Sequence, residues 1–134
     1  MFVIYNRRGY SKSLRKEVTK SSHWYFYDNG IRNALVSNFN LPALRQDMGM
    51  LWENYIASER IKYNAYKHHL VNSYFWRTYD QQEIDLVEEQ NAVLRAYEFK
   101  WKEEKVKVPV AFAKAYPGVP FSVIHSKNYL GFII

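Results

Sequence analysis

Apolar and polar residues alternate through Ile84-Asp85-Leu86 and again through Tyr97-Glu98-Phe99-Lys100, a period-two pattern that specifies half-buried strands. Residues two apart in a strand share a face, so Glu98 and Lys100 point the same way and Tyr97, Phe99 and Trp101 point the other. The aromatic face is the packed one, which leaves the acid and the lysine on the opposite side. If Asp85 lies on a neighbouring strand, two carboxylates and an ammonium converge on one spot. A hard cation such as Mg2+ needs an oxygen cluster of that kind, and phosphodiester cleavage needs such a cation.

The residues around these runs predict the frame that holds them. Met48, Leu51, Trp52, Tyr55 and Ile56 recur at helical spacing and place a helix over about 43–66. Strands are expected at about 73–79, 83–88 and 92–101. A second helix is expected over about 106–115, with Pro109 in its first turn and Pro117-Gly118 at its end. Residues 121–125 and 129–134 read as final strands. Upstream, residues 1–27 form a β-rich opening: an apolar run at 2–5, a basic loop, then His23-Trp24-Tyr25-Phe26-Tyr27. Asp28-Asn29-Gly30 is a turn that caps a short helix over about 31–37, and 38–42 is a loop. From Ala43 the order is helix, three strands, helix, strand, the signature of an α/β (α+β) mixed sheet covered by helices. With no repeat or linker tract, 1–134 reads as a single domain, with 1–42 an extension and 43–134 the core.

Bulk properties narrow the class. An aromatic share of 18% argues for a packed fold and against disorder. The absence of cysteine excludes a disulfide framework and thiolate zinc sites, and is compatible with a reducing cytoplasm. Arg7 and Arg8 follow the first apolar residues at once, so no signal-peptide pattern is present. No apolar run approaches the roughly 20 residues that span a bilayer. The net charge of +6 suits a polyanionic partner such as nucleic acid. The excess is concentrated in Arg7, Arg8, Lys12, Arg15, Lys16 and Lys20 and in Lys100, Lys102, Lys105 and Lys107, although such runs also serve as solvated surface.

Each candidate residue has a plainer reading beside it. Asp85 is either a site acid on an otherwise buried strand or an edge-strand carboxylate facing water. Glu53 lies at the rim of the helical stripe, as a metal ligand (directly or through water) or as a core-rim carboxylate. Glu83 shares Asp85's strand face but suits a solvated position. His68 and His69 are adjacent, and neighbours on a helix diverge by about 100°, so a polar helix end fits them better than metal ligation. His23 and His125 show no partners in the sequence. Arg77 follows Tyr74-Phe75-Trp76 and could meet a phosphate or a base, while core filling explains those aromatics.

The element order, with Glu53, Asp85 and Glu98-Phe99-Lys100, resembles the PD-(D/E)xK nuclease superfamily. Its metal site joins an acid on the first helix, an Asp on the second strand and E-x-K on the third. A nearer resemblance is to the C-terminal domain of prokaryotic AAA-type ATPases, domain of unknown function 4143. The segments that carry it begin with Tyr25 to Leu35, Leu44 to Asn54 and Tyr74-Phe75-Trp76-Arg77-Thr78. Glu83-Ile84-Asp85-Leu86-Val87 and Tyr97-Glu98-Phe99-Lys100-Trp101 complete the match.

The resemblance implies a restriction-endonuclease-like core with Mg2+ or Mn2+ at Asp85, Glu98 and Glu53. It makes Lys100 the residue that polarises water; Arg77, from its place after the aromatics, and Lys102, from the basic run, are expected to meet nucleic acid, most naturally DNA. It also implies an ATPase module upstream or in trans, and leaves a homodimer open. None of the five glycines forms a phosphate-binding loop, so ATP binding is not carried over, and the chain is expected to be part of a longer protein or a stand-alone remnant. The other function open to it is a non-catalytic nucleic-acid-binding or dimerisation module of an ATPase.

Overall fold

A computed structural model describes residues 3–11 and 22–134. Lys12, Arg15, Lys16 and Lys20 of the N-terminal basic run lie outside the described residues, as does Phe2. A mixed six-stranded sheet has the order β2-β1-β3-β4-β5-β6. Its strands are β1 (Ile4–Gly9), β2 (Ser22–Phe26), β3 (Asn72–Arg77), β4 (Glu83–Gln90), β5 (Val93–Phe99) and β6 (Phe121–Ile124). The pairs β1–β3 and β5–β6 are parallel, and the other neighbours are antiparallel. The helices are α1 (Asn29–Leu35), α2 (Met48–Tyr66), α3 (Val110–Ala115) and α4 (Leu130–Ile133).

Two apolar cores lie on the two faces of this sheet. Under α2 and α4, Tyr25, Trp52, Ile56, Leu86, Phe99 and Phe132 pack together. On the other face, Trp76, Ile84, Val87 and Ala96 pack against Phe112 and Tyr116 from α3 and its end. The aromatics of β3 therefore fill the core, Phe75 at 0% exposure and Trp76 at 1%. No helix of the described residues is long and apolar enough to cross a membrane.

Helix α2 is tied to the edge strand β2 by polar side chains. Asn54 accepts from the Phe26 backbone N–H at 2.7 Å and donates to the Phe26 carbonyl at 2.8 Å. Ser58 donates to that same carbonyl at 2.6 Å. Farther along, Arg60 makes a paired contact with Glu88 of β4, at 2.6 and 2.9 Å, and donates to the Phe132 carbonyl at 2.6 Å. Ahead of α2, Asp28 caps α1 by accepting from Ile31 N–H at 3.1 Å. A Cβ at Gly30 would sit 2.8 Å from the capping oxygen, so a larger residue there would push the Asp28 side chain off its cap.

The structure corrects several expectations. Residues 129–134, expected as a strand, form the short helix α4. The short apolar run carries no period that separates strand from helix, and a helical turn brings Tyr129, Phe132 and Ile133 together against the α2-side core. The α2 helix starts at Met48, after a 3-10 turn at Pro42–Leu44, because Asp47 is engaged by Arg32 and Arg45 at 2.7 and 2.8 Å in the connecting turn. Helix α3 begins only after Pro109, whose ring disfavours helical backbone in the residue before it. Arg7 and Arg8, expected in a basic loop, belong to β1.

Candidate active site at the fork of two strands

The site exists because β4 and β5 part company. Their pairing runs from Gln90↔Val93 to Leu86↔Tyr97 and ends there. On its other side β4 carries a bulge: Tyr74 pairs with Val87 and Trp76 with Ile84, so Asp85 and Leu86 together oppose the single residue Phe75. An extra residue of this kind bends a strand and re-aims its side chains. Ile84 and Val87, three apart, thus both reach the α3-side core, while Leu86 reaches the α2-side core.

At the fork, Asp85 takes over a backbone bond that the ladder no longer makes. The Asp85 carboxylate accepts from Phe99 N–H at 2.7 Å. Glu98, on the facing strand, lines the same cleft as Asp85. Lys100 Nζ lies 3.3 Å from Glu98 Oε1, and the Lys100 backbone is pinned to β6 by a 3.0 Å bond to the Ile124 carbonyl. The expected pairing of Glu98 with Lys100 on one face is therefore present, and Asp85 joins it across the fork.

Electrostatics sharpen the site. Burial pushes the Asp85 carboxyl well above the usual range, and the negative charges of Glu53 and then Glu98 add to the push. Burial also raises Glu98, against the opposing pull of Lys100. Lys100 is held above its ordinary value: desolvation lowers it, but the Glu98 charge and hydrogen bond, with Asp85, outweigh that. Two repelling, desolvated carboxylates with one lysine as counter-charge are poised to accept further positive charge.

Glu53 stands beside the fork rather than within it. From α2 its carboxylate accepts the Tyr25 hydroxyl at 2.9 Å. Among the described residues no three His, Asp or Glu side chains are grouped so as to hold a metal ion, so the expected three-acid set of Asp85, Glu98 and Glu53 is not gathered into one cluster. The donors that do meet are two carboxylates, all-oxygen and mutually repelling. That set fits Mg2+, which keeps much of its water and is commonly held by one or two carboxylates.

Of the remaining candidates, two fall at the same place. Lys102 and Glu83 line a cleft of about 510 Å3 together with Glu53, Asp85, Glu98 and Lys100. Glu83 is exposed there, as a solvated acid should be. Arg77 pairs in register with Glu83 and donates to Gln81 at 2.7 Å. His68 and His69 are exposed beyond the end of α2.

Three residues that the sequence did not single out for the site support it from β1 and β2. Arg7 is 2% exposed, donates from Nη1 to the Asp85 carbonyl at 3.3 Å and lies 4.9 Å from the centre of the Tyr25 ring. Its Nε and Nη2 have no hydrogen-bond partner among the described residues. His23, which showed no partner in the sequence, stacks flat on Phe75 with ring centres 3.9 Å apart. Tyr25 carries the hydroxyl that engages Glu53. Only the alternation of Tyr5 with Arg7 and of His23 with Tyr25 hints at a shared face; their approach to Asp85 depends on sheet order, which no local pattern encodes.

A family model described as "Domain of unknown function (DUF4143)" matches residues 48–127. The matched stretch contains Glu53, Asp85, Glu98, Lys100, Arg77 and Lys102. No curated protein and no solved structure matches the chain.

Proposed function

Because the chain belongs to the DUF4143 family, we propose that the β4–β5 fork is a divalent-cation-dependent phosphodiesterase centre acting on DNA, set in a restriction-endonuclease-like core of the PD-(D/E)xK kind. The observation that carries this reading is the meeting of Asp85, bonded across the fork to Phe99 N–H, with the Glu98–Lys100 ion pair in one cleft.

Asp85 and Glu98 hold Mg2+ or Mn2+. When bound, such a cation draws charge from a phosphate and makes water more acidic. Lys100 positions the attacking water and offsets negative charge as it develops on the phosphate. Glu53, oriented by Tyr25, sets the charge on Asp85 from the side. Lys102 and Arg77 at the rim hold the flanking backbone as salt-sensitive phosphate contacts. The partner is an AAA-type ATPase module, joined upstream or acting in trans in the cytoplasm.

One observation favours a second reading. With Glu53 engaged by Tyr25 and no three-ligand group among the described residues, the fold also suits a module of the ATPase that binds nucleic acid or dimerises without cutting. Cleavage of branched, linear and supercoiled DNA in Mg2+ or Mn2+, with Asp85→Asn as control, separates the two. The nuclease reading predicts metal-dependent nicking that the substitution abolishes. Binding that is unaffected by chelator, without cleavage of any substrate, supports the second.

A further inference from the structure

Past Met50 and Glu53 the fork opens into a second cleft of about 400 Å3, lined from β2 by Ser22, His23, Trp24 and Tyr25. Met50 and Glu53 line both clefts, so the two halves form one trough. The halves differ in chemistry. The fork side carries Asp85, Glu98, Lys100 and Lys102, whereas the β2 side is lined by His23, Trp24 and Tyr25 together with Ser22, Arg32 and Asn54. Its arginine, Arg32, is already bound to Asp47 at 2.7 Å.

Three features say what the β2 side accepts. Glu53 stands at the junction and repels a phosphate, so a phosphate settles toward the lysines and a neutral group goes the other way. Trp24 is 63% exposed on the edge strand, a large aromatic surface that no group among the described residues covers. The volume lies at the small end of ligand sites. A double helix, whose major groove alone is ~12 Å wide, does not enter such a space.

We propose that this second cleft holds one unpaired nucleobase adjoining the phosphate at the fork, so that the substrate is a single strand, flap or branch rather than a continuous duplex. The proposal rests on the phosphodiesterase reading of the fork. Stacking on an aromatic side chain favours any base and requires it to be out of the double helix.

The test uses the full chain carrying Asp85→Asn, which binds without cutting, and three oligodeoxynucleotides containing 2-aminopurine: single-stranded, in a flap, and fully paired. Anisotropy gives affinity and 2-aminopurine fluorescence reports stacking. The single strand and the flap should bind at least tenfold tighter than the duplex, with their fluorescence quenched on binding. Adding Trp24→Ala should weaken both about tenfold and remove the quenching, while Trp24→Phe restores most of each. Because Trp24 is exposed, its replacement leaves the fold intact, which circular dichroism verifies. Tight binding of duplex and single strand alike, or quenching unchanged by Trp24→Ala, overturns the proposal and leaves the fork's chemistry standing. If no nucleic acid binds even at low salt, the phosphodiesterase reading fails and this inference goes with it.

Discussion

The carboxylate of Asp85 accepts a 2.7 Å hydrogen bond from the backbone N–H of Phe99, at the point where the β4–β5 ladder has already ended at Leu86↔Tyr97. An acid thus takes the place of a strand carbonyl. It stands partly buried at the cleft beside a second acid, Glu98, which pairs with Lys100 at 3.3 Å. The measurable behaviour of the protein follows from that exchange.

Ionising this pair costs stability. Burial raises the folded-state values of Asp85 and Glu98, so their protonated forms favour folding at acid pH. That contribution is complete below the ordinary carboxylate range and is lost as pH climbs through the raised folded values. Asp85→Asn keeps an oxygen that can accept from Phe99 and removes the charge. It is expected to raise the melting temperature at neutral pH in chelator, and to converge with wild type near pH 3. Each ~1 kcal/mol gained corresponds to about 3–5 °C, and scanning calorimetry across pH reads the difference.

Glu53 acts on Asp85 through charge. It is the second largest cause of the rise at Asp85, after burial, and a glutamine in its place can still accept the Tyr25 hydroxyl. Glu53→Gln should therefore lower the titration midpoint of Asp85 without loosening α2 from β2. Carboxyl carbon NMR shifts followed through a pH series would show it. An unmoved midpoint would mean that Glu53 is only a rim residue.

In the proposed reading, Lys100 separates cation binding from chemistry. Its removal takes away the charge that holds Glu98 down, so the Glu98 midpoint rises further in Lys100→Met. The two carboxylates remain, so cation binding at neutral pH persists. Single-turnover cleavage should fall by about 10²- to 10³-fold, the usual consequence of losing one electrostatic contact to a developing charge.

Arg60 and Glu88 hold the far end of the sheet. Both are largely buried and pair at 2.6 Å, and Arg60 also anchors α4 through the Phe132 carbonyl. Removing one partner strands the other, so Arg60→Met or Glu88→Ala should cost ~3–5 kcal/mol in urea unfolding. The double variant Arg60→Met, Glu88→Leu should recover most of that loss.

The sequence made some of this arrangement legible and hid the rest. Alternation marked β4 and β5 and put Glu98 with Lys100, because period two is a local property of a strand. The apolar stripe of α2 was equally plain. The bulge at Asp85-Leu86 was hidden, since it arises from how β3 lies against β4 and not from any residue type there. Arg7 and His23 were hidden for a related reason: they approach the site through strand pairing across distant segments. The final Tyr129-Leu130-Gly131-Phe132 run lacked a period, and its helix follows from the pocket that Phe132 fills against Tyr97 and Phe99.

The central claim is that Asp85 and Glu98 together form a divalent-cation site. Calorimetric titration of the chain with Mn2+ at neutral pH, beside Asp85→Asn and Glu98→Gln, tests it most directly. One saturable site in the wild type, lost in each variant while both stay folded, is the predicted result. No saturable binding in the low-millimolar range, or binding that survives both substitutions, would contradict it.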